Sequence, residues 1–296
     1  MQIIFSTQLL FAALVIGSIY VLVAVGLNMV YGTMRLLNIA HGEMVMAGAY
    51  TSYWLFTLAG VSPLLSMLVA AVLCAGFGAL LYRGLFRRLL NDSKFLARLE
   101  GNSLLLFFGI SIVLQNVAAL LFQPTPRGYQ YLDGVIQVAD ASITENNLLA
   151  LVVALVLCGA IVLFLRFHIY GLAIKALIQH RQGAMVVGID VERIQLLSFC
   201  IGFGTAGLAG SLLSMMQQIT PFMGFPFTIA SFVVVILGGL GNLLGGMAAG
   251  VLLGVLETYG VALTSPSLRS VLIYGVFILV LLVRPQGLLG GRRLAR

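Results

Sequence analysis

Long apolar runs alternate with short polar segments along the whole chain, and this alternation predicts a bundle of membrane-spanning helices. A helix that crosses the hydrocarbon layer needs about 20 mostly apolar residues. Runs of this kind occur at nine places, approximately 8–31, 43–60, 63–82, 104–122, 148–166, 195–217, 227–240, 243–259 and 270–283. The pair 227–240 and 243–259 is short and rich in glycine, so it predicts two spans or one broken, re-entrant element. We therefore expect an all-α, polytopic integral membrane helical bundle with about 8–9 spans.

The composition narrows the class and the domain organisation. The 296-residue chain is 61% hydrophobic and 8% charged, whereas soluble domains are about a quarter charged. A membrane β-barrel would show short segments of alternating polarity instead of long apolar runs. No segment between the predicted spans is long enough for a separate soluble domain, so we expect a single transmembrane domain over residues 1–296.

Lysine and arginine are concentrated on one side of the predicted bundle. Fourteen of the sixteen basic residues lie in the segments 83–103 and 166–193, in the tail after residue 283 and at Arg35. Basic loops tend to stay in the cytoplasm, which places the C-terminus there and, with nine crossings, the N-terminus outside. The remaining connecting segments are predicted to lie outside: 122–147, 218–226 and 260–269. The first of these carries turn-forming Pro and Gly residues, which predict a small ordered cap or hairpin.

No pattern typical of catalysis, metal binding or cofactor binding is visible in the sequence. Cys74, Cys158 and Cys200 lie inside apolar runs without metal-type spacing, and we interpret them as buried apolar residues. Neither Lys94 nor Lys175 fits the G-x-x-x-x-G-K-[ST] pattern, which argues against ATP binding through a phosphate-binding loop. The net charge of +7 lies mostly in loops and indicates topology, not nucleic-acid binding. We expect no catalytic residue, no metal and no cofactor.

One polar stretch, residues 31–50, interrupts the apolar pattern between the first two predicted spans. Ionisable side chains at membrane depth cost roughly 2.5–3.5 kcal/mol each, so they normally face protein or water. If the first helix continues through the stretch, Asn28, Tyr31, Arg35 and Asn38 lie in one stripe of a helix with 3.6 residues per turn. The residues predicted to line or gate a translocation path are Asn28, Tyr31, Arg35, Asn38, His41, Glu43 and Asn242.

A purely structural role is the alternative for the same polar residues. Arg35 and Glu43 would cap helix ends near the cytoplasmic headgroups, since a Glu at the start of a helix is favoured by the helix dipole. Asn38 would bond a neighbouring helix. His41 is either a proton site or a hydrogen-bonded structural residue, and the sequence leaves both interpretations open.

A glycine-rich segment begins at Gly238. Its members Gly246, Gly250 and Gly254 recur at four-residue spacing, which lets membrane helices pack closely, so we predict a helix-packing role for them. The five residues that end at the first of these glycines are Asn242-Leu-Leu-Gly-Gly246. They share two positions with Asn38-Ile-Ala-His-Gly42. An internal repeat is one interpretation, since transporters are often built from repeats with interrupted helices. Chance similarity in a chain rich in Gly and Leu is the other.

The basic segment 166–193 has a helical pattern. Leu172, Ala176 and Gln179 fall on one helical side, and Lys175 lies elsewhere. The segment is longer than most connections between helices, which favours short helices that form a docking surface at the cytoplasmic face. A plain basic loop is the alternative.

Several motifs, in order along nearly the whole chain, resemble one family. They are Gly26-Leu-Asn-Met-Val-Tyr-Gly32, Asn38-Ile-Ala-His-Gly-Glu43, Ala47-Gly-Ala-Tyr50, the segment from Gly171 to Ile189, Gly238-Gly-Leu-Gly-Asn-Leu-Leu-Gly-Gly246 and Arg284-Pro-Gln-Gly-Leu288. This set resembles the branched-chain amino-acid ABC transporter permeases (LivH/LivM type), and the chain length is closer to the LivH-like member. Two departures concern charge: Leu172 stands where the family usually has a basic residue, and His180 where it usually has an acidic one.

The resemblance implies the other parts of an importer in a bacterial inner (plasma) membrane. The partners would be a second permease subunit (LivM-like, or a second copy), two ABC ATPase subunits, a periplasmic substrate-binding protein and membrane lipid. ATP hydrolysis would be carried out by the separate ATPase subunits. The residues expected to couple this chain to the ATPases are Gly171, Lys175, Ala176, Gln179, His180, Arg181, Ala184 and Gly188.

The expected function is therefore that of a permease subunit that moves amino acids, with branched-chain amino acids as the substrate that the resemblance implies. Urea, amides or another small polar solute in the same importer class are alternatives. A proton-coupled secondary carrier that uses His41 and Glu43 is an alternative of a different class. A structural scaffold would not explain the helical pattern of residues 166–193.

Overall fold

The computed structural model describes residues 6–138, 141–283 and 287, and most of them are helical. The longer helices are α1 (Thr7–Met34), α2 (His41–Ala59), α3 (Pro63–Leu81), α6 (Leu99–Phe122), α7 (Glu145–Phe167), α10 (Val191–Ser214), α11 (Gly224–Gly238), α12 (Leu243–Leu263) and α13 (Arg269–Val283). The shorter helices are α4 (Arg87–Leu89), α5 (Ser93–Ala97), α8 (Ile169–Gln179) and α9 (Arg181–Val186). Strands β1 (Val135–Val138) and β2 (Ala141–Thr144) form an antiparallel hairpin.

Each predicted span corresponds to one of the longer helices. In the described residues, seven helical segments are long and apolar enough to cross a membrane, which confirms the all-α polytopic membrane class. Of the nine longer helices in the described part of the chain, α2 and α11 are not among these seven segments. Helix α2 begins with the polar residues His41 and Glu43, and α11 has only 15 residues. These two helices are the shorter or more polar elements of a bundle that otherwise spans the membrane.

The core of the bundle lies around α1 and α10, which are the most deeply buried long helices. Helix α1 packs against α7, α10, α11 and α12, while α10 also packs against α2 and α3. The outer helices α3, α6, α7 and α13 expose many large apolar side chains, which is the surface expected where a protein faces lipid. The polar stretch between α1 and α2 therefore starts from the central helix of the molecule.

Small residues bring α12 against α1. A Cβ atom added at Gly254 would lie 2.5 Å from the Cα atom of Gly17, and Gly250 meets the same helix with similar closeness. Gly246 lies beside Asn28, since its added Cβ would be 3.0 Å from Nδ2 of Asn28. All three glycines thus lie on the face of α12 that packs on α1, where only small residues allow the backbones to approach.

One end of the bundle, here called the basic end, gathers residues 82–98 and 168–193. Arg87 forms an ion pair with Glu192, which joins the two segments. Residue 287 lies at this end too, because an added Cβ there would be 2.7 Å from the backbone nitrogen of Gly239, just after α11. The arginines of the predicted cytoplasmic tail, at positions 284, 292, 293 and 296, lie outside the described residues.

The opposite end, here called the hairpin end, carries β1 and β2 and the loop that precedes them. Arg127 exchanges two backbone hydrogen bonds with Ile219, at 2.9 and 2.7 Å. The Asn146 side chain donates to the carbonyl oxygen of Met215 at 2.9 Å. The structure therefore groups the connecting segments on two sides, as the charge pattern predicts, and it contains a hairpin within residues 122–147.

Candidate functional site

The first helix ends before the polar stretch is complete. Helix α1 stops at Met34, and Arg35 adopts a left-handed conformation with φ of 56° while its N–H donates to the carbonyl oxygen of Tyr31 at 2.6 Å. This conformation is uncommon for residues other than glycine, and here it marks a sharp change of direction. The predicted stripe on one continuous helix is therefore wrong, because Asn38 lies beyond the helix end.

Residues 35–40 run back into the bundle. Nε2 of His41, the first residue of α2, donates a hydrogen bond to the carbonyl oxygen of Val23 at 3.0 Å. Val23 lies 11 residues before Met34, which corresponds to about 16 Å along a helix that rises 1.5 Å per residue. Helix α2 thus begins inside the bundle. Leu36 and other residues of the returning segment are fully buried in protein, the condition under which non-helical backbone is tolerated at membrane depth.

The starts of α2 and α11 meet at this depth. The Gly42 N–H donates to Oγ1 of Thr228 at 2.9 Å, and the Thr228 hydroxyl donates to the carbonyl oxygen of Ile39 at 3.0 Å. A Cβ atom added at Gly42 would lie 2.0 Å from the carbonyl oxygen of Gly224. Any side chain at position 42 would therefore separate the two helices.

Glu43 links α2 to the outer helix α6. Its Oε1 atom accepts hydrogen bonds from Oγ of Ser111 at 2.8 Å and from Nε2 of Gln115 at 2.7 Å. The Glu43 side chain is fully buried. A helix cap near the headgroups, the structural alternative for this residue, does not fit a carboxyl group that lies in the interior and bonds a neighbouring helix.

Several buried polar atoms around the start of α2 have no hydrogen-bond partner within the described residues. They are both side-chain polar atoms of Asn38, Nδ1 of His41 and Oε2 of Glu43. Tyr50 and Trp54, which lie on the same face of α2 as Glu43, add an unpartnered hydroxyl and an unpartnered indole N–H. Most buried polar groups in proteins are paired, and exceptions mark sites of water, ions or function. We call Asn38, His41 and Glu43 the α2 polar cluster.

Asn28 and Asn242 form a separate junction closer to the basic end. Asn28 donates from Nδ2 to the carbonyl oxygen of Asn242 at 2.9 Å and accepts at Oδ1 from the N–H of Gly241 at 2.9 Å. Asn242 in turn caps α12 by accepting the N–H of Gly245 at 3.0 Å. This pair therefore ties the break between α11 and α12 to α1.

The two remaining residues of the predicted path lie at the basic end. The Tyr31 hydroxyl donates to Oε1 of Glu100 at 3.0 Å, and the Arg35 side chain is exposed. The structure thus divides the seven predicted path residues into three places, of which only the α2 polar cluster combines full burial with unpartnered polar atoms.

Two short helices, α8 and α9, form the predicted coupling segment. Gly171 and Ala184 are buried, and a Cβ atom added at Gly171 would lie 2.2 Å from the carbonyl oxygen of Phe164. These two residues hold the segment against the bundle and do not present a surface to a partner. Lys175 and Ala176 are half-buried.

The exposed part of the coupling segment lies around the turn between α8 and α9. Gln179, His180 and Arg181 are exposed, and Nδ1 of His180 accepts the N–H of Gly183 at 2.8 Å to cap α9. Gly188 is exposed as well and has a φ of 83°, a conformation that favours glycine. The turn therefore offers polar and basic groups to a partner at the basic end.

A side chain from α8 connects this segment to the central helices. Ile178 lies between α1 and the turn after α11, because a Cβ added at Gly32 would be 2.9 Å from its Cδ1 atom and one at Gly241 would be 3.3 Å from its Cγ2 atom. Through Ile178, a movement of α8 would thus be transmitted both to α1 and to the Asn28–Asn242 junction.

With this geometry in place, comparison with known proteins identifies the family. The sequence matches the profile of the family described as "Branched-chain amino acid transport system / permease component" over residues 9–281. The chain belongs to this permease family. The motifs that carry the predicted resemblance between residues 26 and 246 all fall within the matched part.

Individual relatives agree with this assignment. The high-affinity branched-chain amino acid transport system permease protein LivH of Escherichia coli K12 is 31% identical, with 98% of this chain and 97% of LivH covered. The similarly named BraD of Pseudomonas aeruginosa is 32% identical, with 96% and 95% covered. LivM of Escherichia coli K12 is 26% identical over 92% of this chain but only 68% of its own length, which confirms the LivH-like prediction. No solved structure matches the chain.

Some residues of the site in this permease were not anticipated from the sequence. Ser111, Gln115 and Thr228 bond the residues at the start of α2, yet each lies in a predicted apolar span. Of these three residues, Gln115 could have been recognised from the sequence, because an amide in the middle of a lipid-facing span needs a partner within the protein. The two hydroxyl residues carry no such signal, since Ser and Thr also bond the backbone of their own helix.

Proposed function

We propose that this chain is the transmembrane permease subunit of an ATP-binding-cassette importer that moves branched-chain amino acids across a bacterial inner membrane. The observation that carries the proposal is the match, over nearly the full length, to LivH and BraD, which are named as permease proteins of high-affinity branched-chain amino acid transport systems. In this proposal the basic end and the C-terminus face the cytoplasm, in accordance with the positive-inside rule.

The α2 polar cluster is the proposed gate. It lies where α2 starts inside an apolar bundle, and its unpartnered atoms offer hydrogen bonds that the described part of the chain does not satisfy. A zwitterionic or polar solute loses water when it enters such a bundle, and donors and acceptors along its path reduce that cost. Asn38, His41 and Glu43 would therefore contact the solute or the water that accompanies it.

Coupling to ATP hydrolysis is proposed for the turn between α8 and α9. Two ATPase subunits would dock at the basic end against Gln179, His180 and Arg181, which are exposed. Helix α8 packs on α1, α7 and α10, so a push on the turn would reach the helices that hold the α2 polar cluster. A second permease subunit and a periplasmic substrate-binding protein would complete the importer.

The proposed function is tested by reconstituting the complete importer, with the ATPase, second permease and binding protein encoded with this chain, in proteoliposomes. Uptake of radiolabelled leucine, isoleucine and valine should require ATP on the ATPase side and the binding protein on the other. Urea and acetamide, added in the same assay, should not be taken up. Accumulation of urea or an amide in place of leucine would overturn the substrate assignment.

A proton-coupled carrier is the second candidate, because His41 and Glu43 are two buried ionisable residues within one turn of a helix. Proteoliposomes that contain this chain alone separate the two candidates. An imposed proton gradient should drive no leucine uptake if the chain works only within an ATP-driven importer. Gradient-driven uptake by the chain alone would favour the carrier instead.

A further inference from the structure

A cavity of about 350 Å³ opens between α7 and α12 on the surface of α1, toward the basic end. Its walls are formed largely by apolar side chains, among them Val25, Ile161, Leu165, Leu243 and Met247. Both α7 and α12 pack on α1, so the central helix forms the floor of the cavity.

Two basic residues, Arg166 and Lys175, stand in this otherwise apolar lining. Arg166 lies in the last turn of α7, and Lys175 lies on α8, which follows directly. Neither side chain forms an ion pair within the described residues. The Lys175 side chain is half-buried against the cavity, and the Arg166 guanidinium lies 5.5 Å from the ring centre of Phe167. Two cations thus share one cavity, with no acidic partner in the described part of the chain.

The cavity has an apolar interior and a basic rim, which match the acyl chain and the headgroup of a phospholipid. Val25, on its floor, lies nine residues before the end of α1, which is about 14 Å at 1.5 Å per residue. The apolar lining therefore reaches into the hydrocarbon layer, while the cations sit at the rim where α7 ends. Long basic side chains near helix ends place their charge at the level of the lipid headgroups.

We propose that this cavity binds an anionic phospholipid, with one acyl chain along Val25 and Met247 and the phosphate between Arg166 and Lys175. Basic pockets between membrane helices on the cytoplasmic side are suited to anionic headgroups. An acidic side chain of a partner protein would satisfy the charges but leave the apolar floor unfilled. A zwitterionic lipid would fill the floor but bring its own cation beside the two that are already there.

The test uses the full-length chain in detergent, with phosphatidylglycerol as the anionic probe and phosphatidylcholine as the zwitterionic one. Native mass spectrometry measures bound lipid, and thermal unfolding measures the stabilisation that binding produces. Wild-type protein should retain phosphatidylglycerol several-fold better than phosphatidylcholine. The double variant Arg166→Gln with Lys175→Gln should lose this preference, and Arg88→Gln, an exposed basic residue at the same end, should keep it.

A second pair of variants tests whether the acyl chain enters the cavity. Met247→Trp fills the apolar part without altering its charge, and Leu244→Trp, on the exposed rim, serves if Met247→Trp does not fold. Either variant should reduce phosphatidylglycerol retention several-fold. Unchanged retention in a folded tryptophan variant would overturn the proposal in favour of surface attraction alone. Equal retention of both lipids by the wild type would overturn it in favour of an unselective groove.

Discussion

His41 donates a hydrogen bond to the carbonyl oxygen of Val23, although the end of α1 and a change of chain direction lie between the two residues. This contact fixes the depth at which α2 begins. It converts a polar linker between two spans into a segment that returns to the interior of the bundle. The proposed gate depends on this depth, since a linker at the membrane surface would not meet a solute in transit.

Replacing His41 should weaken the attachment of α2 to α1, and the loss should be smaller when the new side chain can still donate a hydrogen bond. His41→Leu removes the hydrogen bond and should cost about 0.5–1.5 kcal/mol of stability. His41→Gln places an amide donor near the position of Nε2 and should retain most of that stability. Thermal unfolding of the two purified variants measures the difference. Equal stability of both variants would mean that the contact with Val23 does not hold α2 in place.

Gln115 should stabilise the bundle through Glu43. Gln115→Leu leaves the buried Glu43 carboxyl group with Ser111 as its remaining donor among the described residues, and the loss of a partner for a buried polar group costs about 1–3 kcal/mol. The neighbouring Asn116 is exposed and donates to the carbonyl oxygen of Ile112 in its own helix, so Asn116→Leu is the matched control. The melting temperature should fall for Gln115→Leu and stay close to wild type for the control.

Gly42 should tolerate no larger residue. Gly42→Ala places a methyl group where the carbonyl oxygen of Gly224 already lies, and overpacking of this kind costs typically about 1–3 kcal/mol. Gly76→Ala, in α3, adds a methyl group that meets nothing within 4 Å and serves as the control. The yield of monodisperse protein and its melting temperature should drop for the first variant only. A well-folded Gly42→Ala protein would argue that α2 and α11 do not meet as described.

The exposed turn between α8 and α9 should carry the coupling to the ATPase subunits. Arg181→Glu reverses the charge of an exposed side chain and should lower ATP-driven uptake about tenfold, the effect of roughly 1.4 kcal/mol of lost interaction. Arg98→Glu reverses an exposed charge at the same end but outside the turn, so it should leave uptake largely intact. Equal losses in both variants would indicate a general effect of charge at the basic end.

The sequence predicts the helices of this fold well because hydrophobicity alone locates a membrane span. Every predicted span corresponds to a helix, and the charge pattern groups the connecting segments correctly. The return of residues 35–40 into the bundle was not predicted, because a 3.6-residue stripe from Asn28 to Asn38 looks the same whether or not the chain reverses at Arg35. The left-handed conformation of Arg35 and the contact of His41 with Val23 reveal the reversal in the structure.

The bonding partners of the site were harder to predict than its polar residues. Glu43 is recognisable in the sequence as a carboxylate inside an apolar region, but its partners come from α6, about 70 residues later in the chain. Such pairings depend on tertiary packing and leave no local pattern. Gly171 and Ala184 show the same limit, since helical spacing does not tell which face of α8 or α9 packs on the bundle.

Asn38 provides the most direct test of the proposed gate, because both polar atoms of its fully buried side chain lack a partner within the described residues. An unpaired buried amide destabilises a protein, so Asn38→Leu should leave the melting temperature unchanged or raise it. If Asn38 serves the translocation path, the same variant should lower ATP-driven leucine uptake by the reconstituted importer at least about tenfold. Leucine uptake at the wild-type rate by a stable Asn38→Leu protein would contradict the gate.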